Sequence, residues 1–233
     1  MLGPLRLPLE GAPGRSLLDV GGGTGNYAEA LRAEDWEVVV VDRAPEMLEH
    51  AAGKGLETML GDAEELPFAD ASFDAAMLVS MLHHVDRPTV ALAEARRVLR
   101  HGGRLALMMF TREDIESLWC LEYFPASRSW MEQTHAPLGE IVAELAGADR
   151  LPVSFEDMSD MSLAALHGSP QLMLEERWRS QTSYFERMAR DHPAELEAGL
   201  EQLAADLKLG TVPARPGSAS VIAWSKPRED EPS

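Results

Sequence analysis

The sequence has a single cysteine, Cys120, among 233 residues. A lone thiol can form neither an intrachain disulfide nor a cysteine metal cluster, which fits a reducing compartment. Basic side chains are scarce beside acidic ones: 21 Lys and Arg stand against 39 Asp and Glu, for a formal net charge of −18. A chain this acidic repels a phosphate backbone, so nucleic acid is not expected as a partner. The same charge favours solubility and attracts cations. No apolar run is long enough to span a bilayer, so no membrane partner is expected. The opening MLGPLRLPLEGAPG is interrupted by proline and glycine and lacks a signal-peptide pattern, so a cytoplasmic protein is expected. There is no H-E-x-x-H or similar ligand spacing, and no metal is expected. Internal repeats are also absent.

The organising stretch is Ser16 to Ala30, SLLDVGGGTGNYAEA. An apolar run breaks into a glycine-rich turn and restarts with helical spacing at Tyr27, Ala30 and Leu31. This reads as a buried strand, a tight turn and a helix N-terminus. The glycines permit unusual dihedrals and close approach of a ligand. Free N–H groups at the helix start favour an anionic ligand group. A dinucleotide fingerprint needs G-x-G-x-x-G, and counting from Gly21 its third glycine falls on Asn26. What remains is Asp19-x-Gly21-x-Gly23-x-Gly25.

Residues 1–15 read as a loop-like lead-in, with Pro4, Pro8 and Pro13 as breakers. Strands are expected at about 16–20, 37–41, 57–60, 72–79 and 104–110. Helices are expected at about 26–34, from Pro45, and at 87–99. The EVVVV run before Asp42 is typical of a strand covered on both faces. Asp42 is spaced to reach a ribose diol, whose two hydroxyls a carboxylate can accept, and Met47 is placed to pack near an adenine. His101-Gly102-Gly103 reads as the terminator of the helix over 87–99, with Arg96, Arg97 and Arg100 in its last turns complementing the dipole. Beyond residue 110 the pattern thins. A helix at 138–146, a strand at 151–157, helices at 174–190 and 194–207, and a last strand at 219–225 are expected. The segments are a lead-in (1–15), a core (16–110), a helical segment with strand six (111–160), a helical insertion (161–218), a last strand (219–226) and a disordered tail (227–233).

Four ordered blocks support a resemblance: D-x-G-x-G-x-G at Asp19–Gly25, Gly61-Asp62-Ala63 continuing to Leu66-Pro67-Phe68, Ser72-Phe73-Asp74 leading to Leu82-His83-His84-Val85, and Arg97-x-Leu99 before Gly102-Gly103. Over residues 16–110 the chain resembles the class I S-adenosylmethionine-dependent methyltransferases. It is most similar in look to small-molecule enzymes akin to the ubiquinone/menaquinone C-methyltransferases. The resemblance implies an α/β fold: a doubly wound, Rossmann-like sheet of seven strands in the order 3-2-1-4-5-7-6, the last antiparallel, with a mainly helical cap or insertion. It implies S-adenosyl-L-methionine as cofactor, S-adenosyl-L-homocysteine as product and a small-molecule acceptor. Cofactor-binding positions carried over are Asp19, Gly21, Gly23, Gly25, Asp42, Arg43, Met47, Asp62, Ala63 and Ser80. In the family block the acid at Asp62 meets the adenine amino group. The [DN]-P-P-[YF] of amino-methylating nucleic-acid enzymes is replaced here by Ser80-Met81-Leu82-His83. Such enzymes usually carry N-terminal lid helices. Here about fifteen residues precede strand one, so a lid is expected from 111–135, the insertion or a partner subunit.

For catalysis, His83 and His84 follow the switch-point strand and titrate near neutrality. His84 is preferred as general base, His83 is the alternative, and His135 is a further candidate. Trp119, Tyr123, Phe124, Trp130, Trp178, Tyr184 and Phe185 could line an apolar chamber or form the core of a helical cap. A catalytically inactive cofactor-binding protein and a nicotinamide-dependent oxidoreductase are the competing readings. Oligomeric state is open, a homodimer included.

Overall fold

The computed structural model describes residues 3–154, 163–213 and 218–228. The expected end of strand six at 155–157, the start of the insertion and most of the tail lie outside them. Residues 3–109, 136–151 and 220–228 group into one compact unit; residues 110–135 and the described part of 152–219 group into a second.

The first unit holds most of a seven-stranded sheet: β1 (Ser16–Val20), β2 (Glu37–Asp42), β3 (Glu57–Leu60), β4 (Phe73–Val79), β5 (Leu99–Met109), β6 (Asp149–Ser154) and β7 (Ser218–Ser225). The order is β3-β2-β1-β4-β5-β7-β6, as expected, and β7 runs antiparallel to β5. β1 and β4 are buried almost throughout, which requires cover on both faces and explains their near-continuous apolar sequence. Helices α1 (Gly3–Leu9), α2 (Asn26–Arg32), α3 (Pro45–Gly53) and α4 (Pro88–Val98) belong to this unit. α4 opens with Pro88 in its first turn and buries Ala91, Leu92, Ala95 and Val98, one helical stripe. Among the described residues no helix is long and apolar enough to cross a membrane.

In the second unit lie α5 (Arg112–Ile115) and α6 (Ala126–Thr134), and the chain returns to the first unit with α7 (Leu138–Glu144). The second unit continues through α8 (Leu163–Gly168), α9 (Glu176–Arg179), α10 (Ser183–Asp191) and α11 (Pro193–Leu209). Its core is aromatic: Trp119, Tyr123, Phe124, Tyr184 and Phe185 are all buried, and the Phe124 and Phe185 rings meet edge-on at 5.6 Å.

Three expectations change. The lead-in is helical over Gly3–Leu9. Leu5 and Leu9, one turn apart, are both buried, and Pro8 removes only one late helical bond. The glycine pair after α4 does not stop the helix. α4 ends at Val98, β5 starts at once, and the pairing jumps from Phe73↔Leu99 to Ala75↔Arg104. Gly102, at φ +74°, turns the chain within that bulge, so Arg100 belongs to the strand and not to the helix. The helix expected over 174–190 is broken into α9 and α10. Thr182 is the breakpoint: its hydroxyl donates back to the Arg179 carbonyl and accepts from the Phe185 N–H, starting a new helix.

Asp74, at the start of β4, locks the amino ends of β1, β4 and β5. Its Oδ2 accepts from the Ser16 N–H (3.0 Å) and Ser16 hydroxyl (2.7 Å), and its Oδ1 accepts from Arg100 (2.7 Å). Burial alone would push its carboxyl up, but the Ser16 and Arg100 bonds outweigh it and hold it below the usual range. The stability this adds is present above the unfolded carboxylate value and is lost as pH falls through the folded one. Replacing Asp74 by Ala is expected to cost about 2 kcal/mol in urea titrations at pH 7. The gap to the parent protein should narrow as pH falls below the ordinary carboxylate value of about 4.

Candidate functional site

Parallel pairing sets the site. Val20 lies beside Val41 on one side and Leu78 on the other, so β1, β2 and β4 end together. In doubly wound sheets the crevice beyond these carboxyl ends is the ligand site. A cleft of about 360 Å³ opens there. That volume suits a ligand of nucleoside size.

The glycine turn forms one wall. Gly21, at φ +65°, lines the cleft, and a Cβ there would meet Met81 at 2.9 Å. The turn is stapled to β2: the Gly21 N–H donates to the Val41 carbonyl (2.8 Å) and the Gly23 N–H to Asp42 Oδ2 (2.9 Å). The Gly25 N–H donates to the Gly22 carbonyl at 2.9 Å. These N–H groups, expected from the sequence to await an anionic ligand, are engaged within the protein. Asp42 Oδ1 meanwhile accepts from the Ala44 N–H at 2.9 Å, ahead of α3. One carboxylate thus shapes two loops, and its remaining lone pairs are what a diol could meet.

The other walls bring together Asp42, Arg43, Met47, Asp62, Ala63, Ser80 and His84, all expected from the sequence. Met47 stays 40% exposed, a large apolar side chain at the rim. Ser80 takes a left-handed φ of +51° and donates its N–H to the Met108 carbonyl (2.7 Å), a strained corner just beyond the switch-point strand. The His83 and His84 rings are in contact, centroids 3.9 Å apart and tilted at 44°, and His84 lines the cleft. The His84 residue is exposed by area, yet desolvation is the largest influence on its ring. With the Arg43 charge it lowers the imidazole below its ordinary value, against a smaller opposing pull from Asp42.

Asp19, Gly25 and His83 are not in the lining. Gly25 starts α2 and is a packing site: a Cβ there would collide with the Leu56 side chain. Asp19 is buried beneath the turn, where a Cβ on Gly22 would strike its carboxylate. Burial, with Asp42 nearby, pushes its carboxyl up to about 7. His135 lies in the second unit, buried, its Nδ1–H donating to the Met131 carbonyl at 2.9 Å. Among the described residues no cluster of His, Cys, Asp and Glu could hold a metal ion.

Sequence reasoning missed Gly61, Glu64, Met81, Val85 and Asp86 in the lining. Gly61 carried a signal, since it precedes the strand-end acid and a Cβ there would come within 2.8 Å of Pro67. Glu64 and Asp86 carried none. Their place depends on α4, whose Arg97 holds the 62–70 loop by donating to the carbonyls of Leu66 (3.0 Å) and Phe68 (2.7 Å) and to Asp70 (2.8 Å). Glu94 completes the clamp by accepting from the Leu66 N–H at 2.8 Å.

Residues 18–107 match the profile of a methyltransferase domain family. An uncharacterized methyltransferase of Mycobacterium tuberculosis is 44% identical over 105 residues, 44% of this chain and 43% of that protein. A ubiquinone/menaquinone biosynthesis C-methyltransferase of Paracoccus denitrificans is 43% identical over 115 residues, 45% of this chain and 46% of that one. The chain thus matches less than half the length of these curated relatives. A crystal structure from Anabaena variabilis, described as a candidate methyltransferase of an antibiotic biosynthesis pathway, superposes with a TM-score of 0.78 at 25% identity, covering 90% of both chains. The phosphoethanolamine N-methyltransferase 2 of Haemonchus contortus, solved with S-adenosyl-L-methionine, shares the fold at a TM-score of 0.59 and 18% identity, over 97% of this chain and 52% of that one.

Asp19 yields a pH prediction. The folded chain holds a proton there that the unfolded chain releases near pH 4. The advantage is full below that value and lost as pH rises through about 7. Asp19→Asn should therefore melt several degrees higher than the parent protein at pH 8, with the difference vanishing near pH 4, in thermal scans of ligand-free protein.

Proposed function

We infer that this chain, whose residues 18–107 match a methyltransferase domain, is an S-adenosylmethionine-dependent enzyme that methylates a small-molecule metabolite on oxygen, nitrogen or carbon. The observation that carries the reading is the chemistry of the cleft. Asp42, Asp62 and Asp86 line it, and the glycine-turn N–H groups are engaged by protein acceptors. A pyrophosphate would meet carboxylates and few free donors. A sulfonium cofactor meets favourable charge, a diol acceptor at Asp42 and an amine acceptor at Asp62. The residues therefore fit S-adenosyl-L-methionine better than a nicotinamide dinucleotide.

The cofactor, when bound, supplies an electrophilic methyl group. The chain's part is alignment and exclusion of water. Asp42, tied to Gly23 and Ala44, fixes the ribose end, and Asp62 with Ala63 forms the base end. Gly21 leaves room beside Met81. His84, held neutral at pH 7 by its lowered pKa, is the group placed to accept a proton from a hydroxyl or acidic carbon. A cofactor-binding protein without catalysis is the second reading, because the same cleft would serve both.

Calorimetry tests the cofactor, and turnover separates the two readings. S-adenosyl-L-homocysteine is expected to bind and NAD is not; the reverse would overturn the assignment. Asp42→Ala should weaken S-adenosyl-L-homocysteine by about tenfold or more, the loss of charge-assisted hydrogen bonds. Turnover in a screen of metabolites with labelled methyl donor should show an acid limb below pH 6.5, the ordinary histidine value. His84→Ala should abolish that limb and lower turnover by about a hundredfold or more while leaving cofactor affinity unchanged. Equal turnover of variant and parent would remove His84 from the chemistry.

A further inference from the structure

We propose that Glu64 and Arg87 form a latch between two walls of the cleft that sets its selectivity for adenine. The inference rests on the cofactor reading above and adds positioning residues to it. Asp62 stands on the loop after β3, and its Oδ1 accepts from the Glu64 N–H at 2.8 Å. The Glu64 carboxylate in turn holds Arg87 twice: Oε1 accepts the Arg87 backbone N–H (2.7 Å) and Oε2 accepts its Nε–H (2.7 Å). Arg87 directly precedes α4 and follows His84, Val85 and Asp86, which line the facing wall. A continuous chain of bonds therefore runs from the segment bearing His84 to the carboxylate expected to meet the base.

An exposed ion pair by itself contributes little. Two features set this pair apart. The Glu64 side chain is only 11% exposed, although Arg87 is 67% exposed. One of its two bonds goes to a main-chain N–H at the start of a helix, a donor that otherwise lacks an intrahelical partner. The far end of the loop is held separately, at Leu66 and Phe68, by Glu94 and Arg97. Asp62 itself is exposed, so its position depends on the near anchor, Glu64. Asp62 accepts a hydrogen bond from a 6-amino group and offers none to a 6-oxo group. Discrimination between the two bases thus requires the carboxylate to stay in place.

The test compares S-adenosyl-L-homocysteine with S-inosyl-L-homocysteine, its 6-oxo analogue, by calorimetry on the full chain. The parent protein should favour the amino compound by about tenfold or more. Glu64→Ala should bring that ratio close to one. Arg87→Ala keeps the main-chain bond and should give an intermediate ratio, Arg87→Lys should restore most of the preference, and Glu64→Gln guards against a folding defect in the alanine variant. A latch that only stabilised the fold would lower the melting temperature and leave the ratio untouched, and that result overturns the proposal. A parent protein that binds the amino compound without preferring it also overturns the proposal and leaves the cofactor reading standing. A parent protein that binds neither compound removes the cofactor reading itself.

Discussion

The hydrogen bond from the Gly23 N–H to the Asp42 carboxylate is the contact on which the site depends. It joins the turn after β1 to the end of β2. Through its other oxygen the same carboxylate fixes the entry to α3. Both bonds are charge-assisted; the first crosses from β1 to β2 and the second stays within the β2–α3 loop, so one carboxylate ties the two loops together. The parallel register makes this arrangement available, because it delivers a glycine turn and a strand-end acid to the same edge of the sheet.

Around that contact the loop after β3 is held by α4 and the residue that precedes it. Arg97 and Glu94 grip one end of the 62–70 loop and Arg87 grips the other through Glu64. Dipole complementarity would make the arginines of this helix interchangeable cations near its end. Instead Arg97 uses its planar fork to meet two carbonyls and two carboxylates, a geometry that lysine could not supply. Arg100, a strand residue, is directed at Asp74 on the opposite rim of the sheet. Three nearby arginines therefore perform three separate mechanical tasks.

The second unit obeys different rules. Its core is built from aromatic rings and methionines, and two of its tyrosines are hydrogen-bonded: Tyr184 with the Ser127 hydroxyl at 2.8 Å, Tyr123 with Asp206 at 2.9 Å. Burial raises the Cys120 thiol to about 12, so the one cysteine is a packed, unreactive side chain. Gly199 lets α11 press against Phe124, where a larger residue would collide. Most of the aromatic residues that could have lined a chamber are instead the hydrophobic interior of this unit.

The family resemblance implied the strand order; by itself the sequence determined the strands around the glycine turn and the residues of that turn. Those features follow from local chemistry: β-branched runs covered on both faces, glycines where φ must be positive, acids at strand ends. It also located Asp42, Asp62, Ser80 and His84, which lie at or within a few residues of the carboxyl ends of β2, β3 and β4, where parallel pairing brings strand ends together. Only the tertiary structure decided that Asp19 lies beneath the turn, that Gly25 serves packing, and that Glu64 belongs to the cleft. These outcomes depend on side chains far apart in the chain, such as Leu56 against Gly25 and Arg87 against Glu64. The same holds for the helical start of the chain, where burying Leu5 and Leu9 outweighed two prolines. Periodicity and spacing report what a segment prefers alone; burial and long-range hydrogen bonds choose among its options.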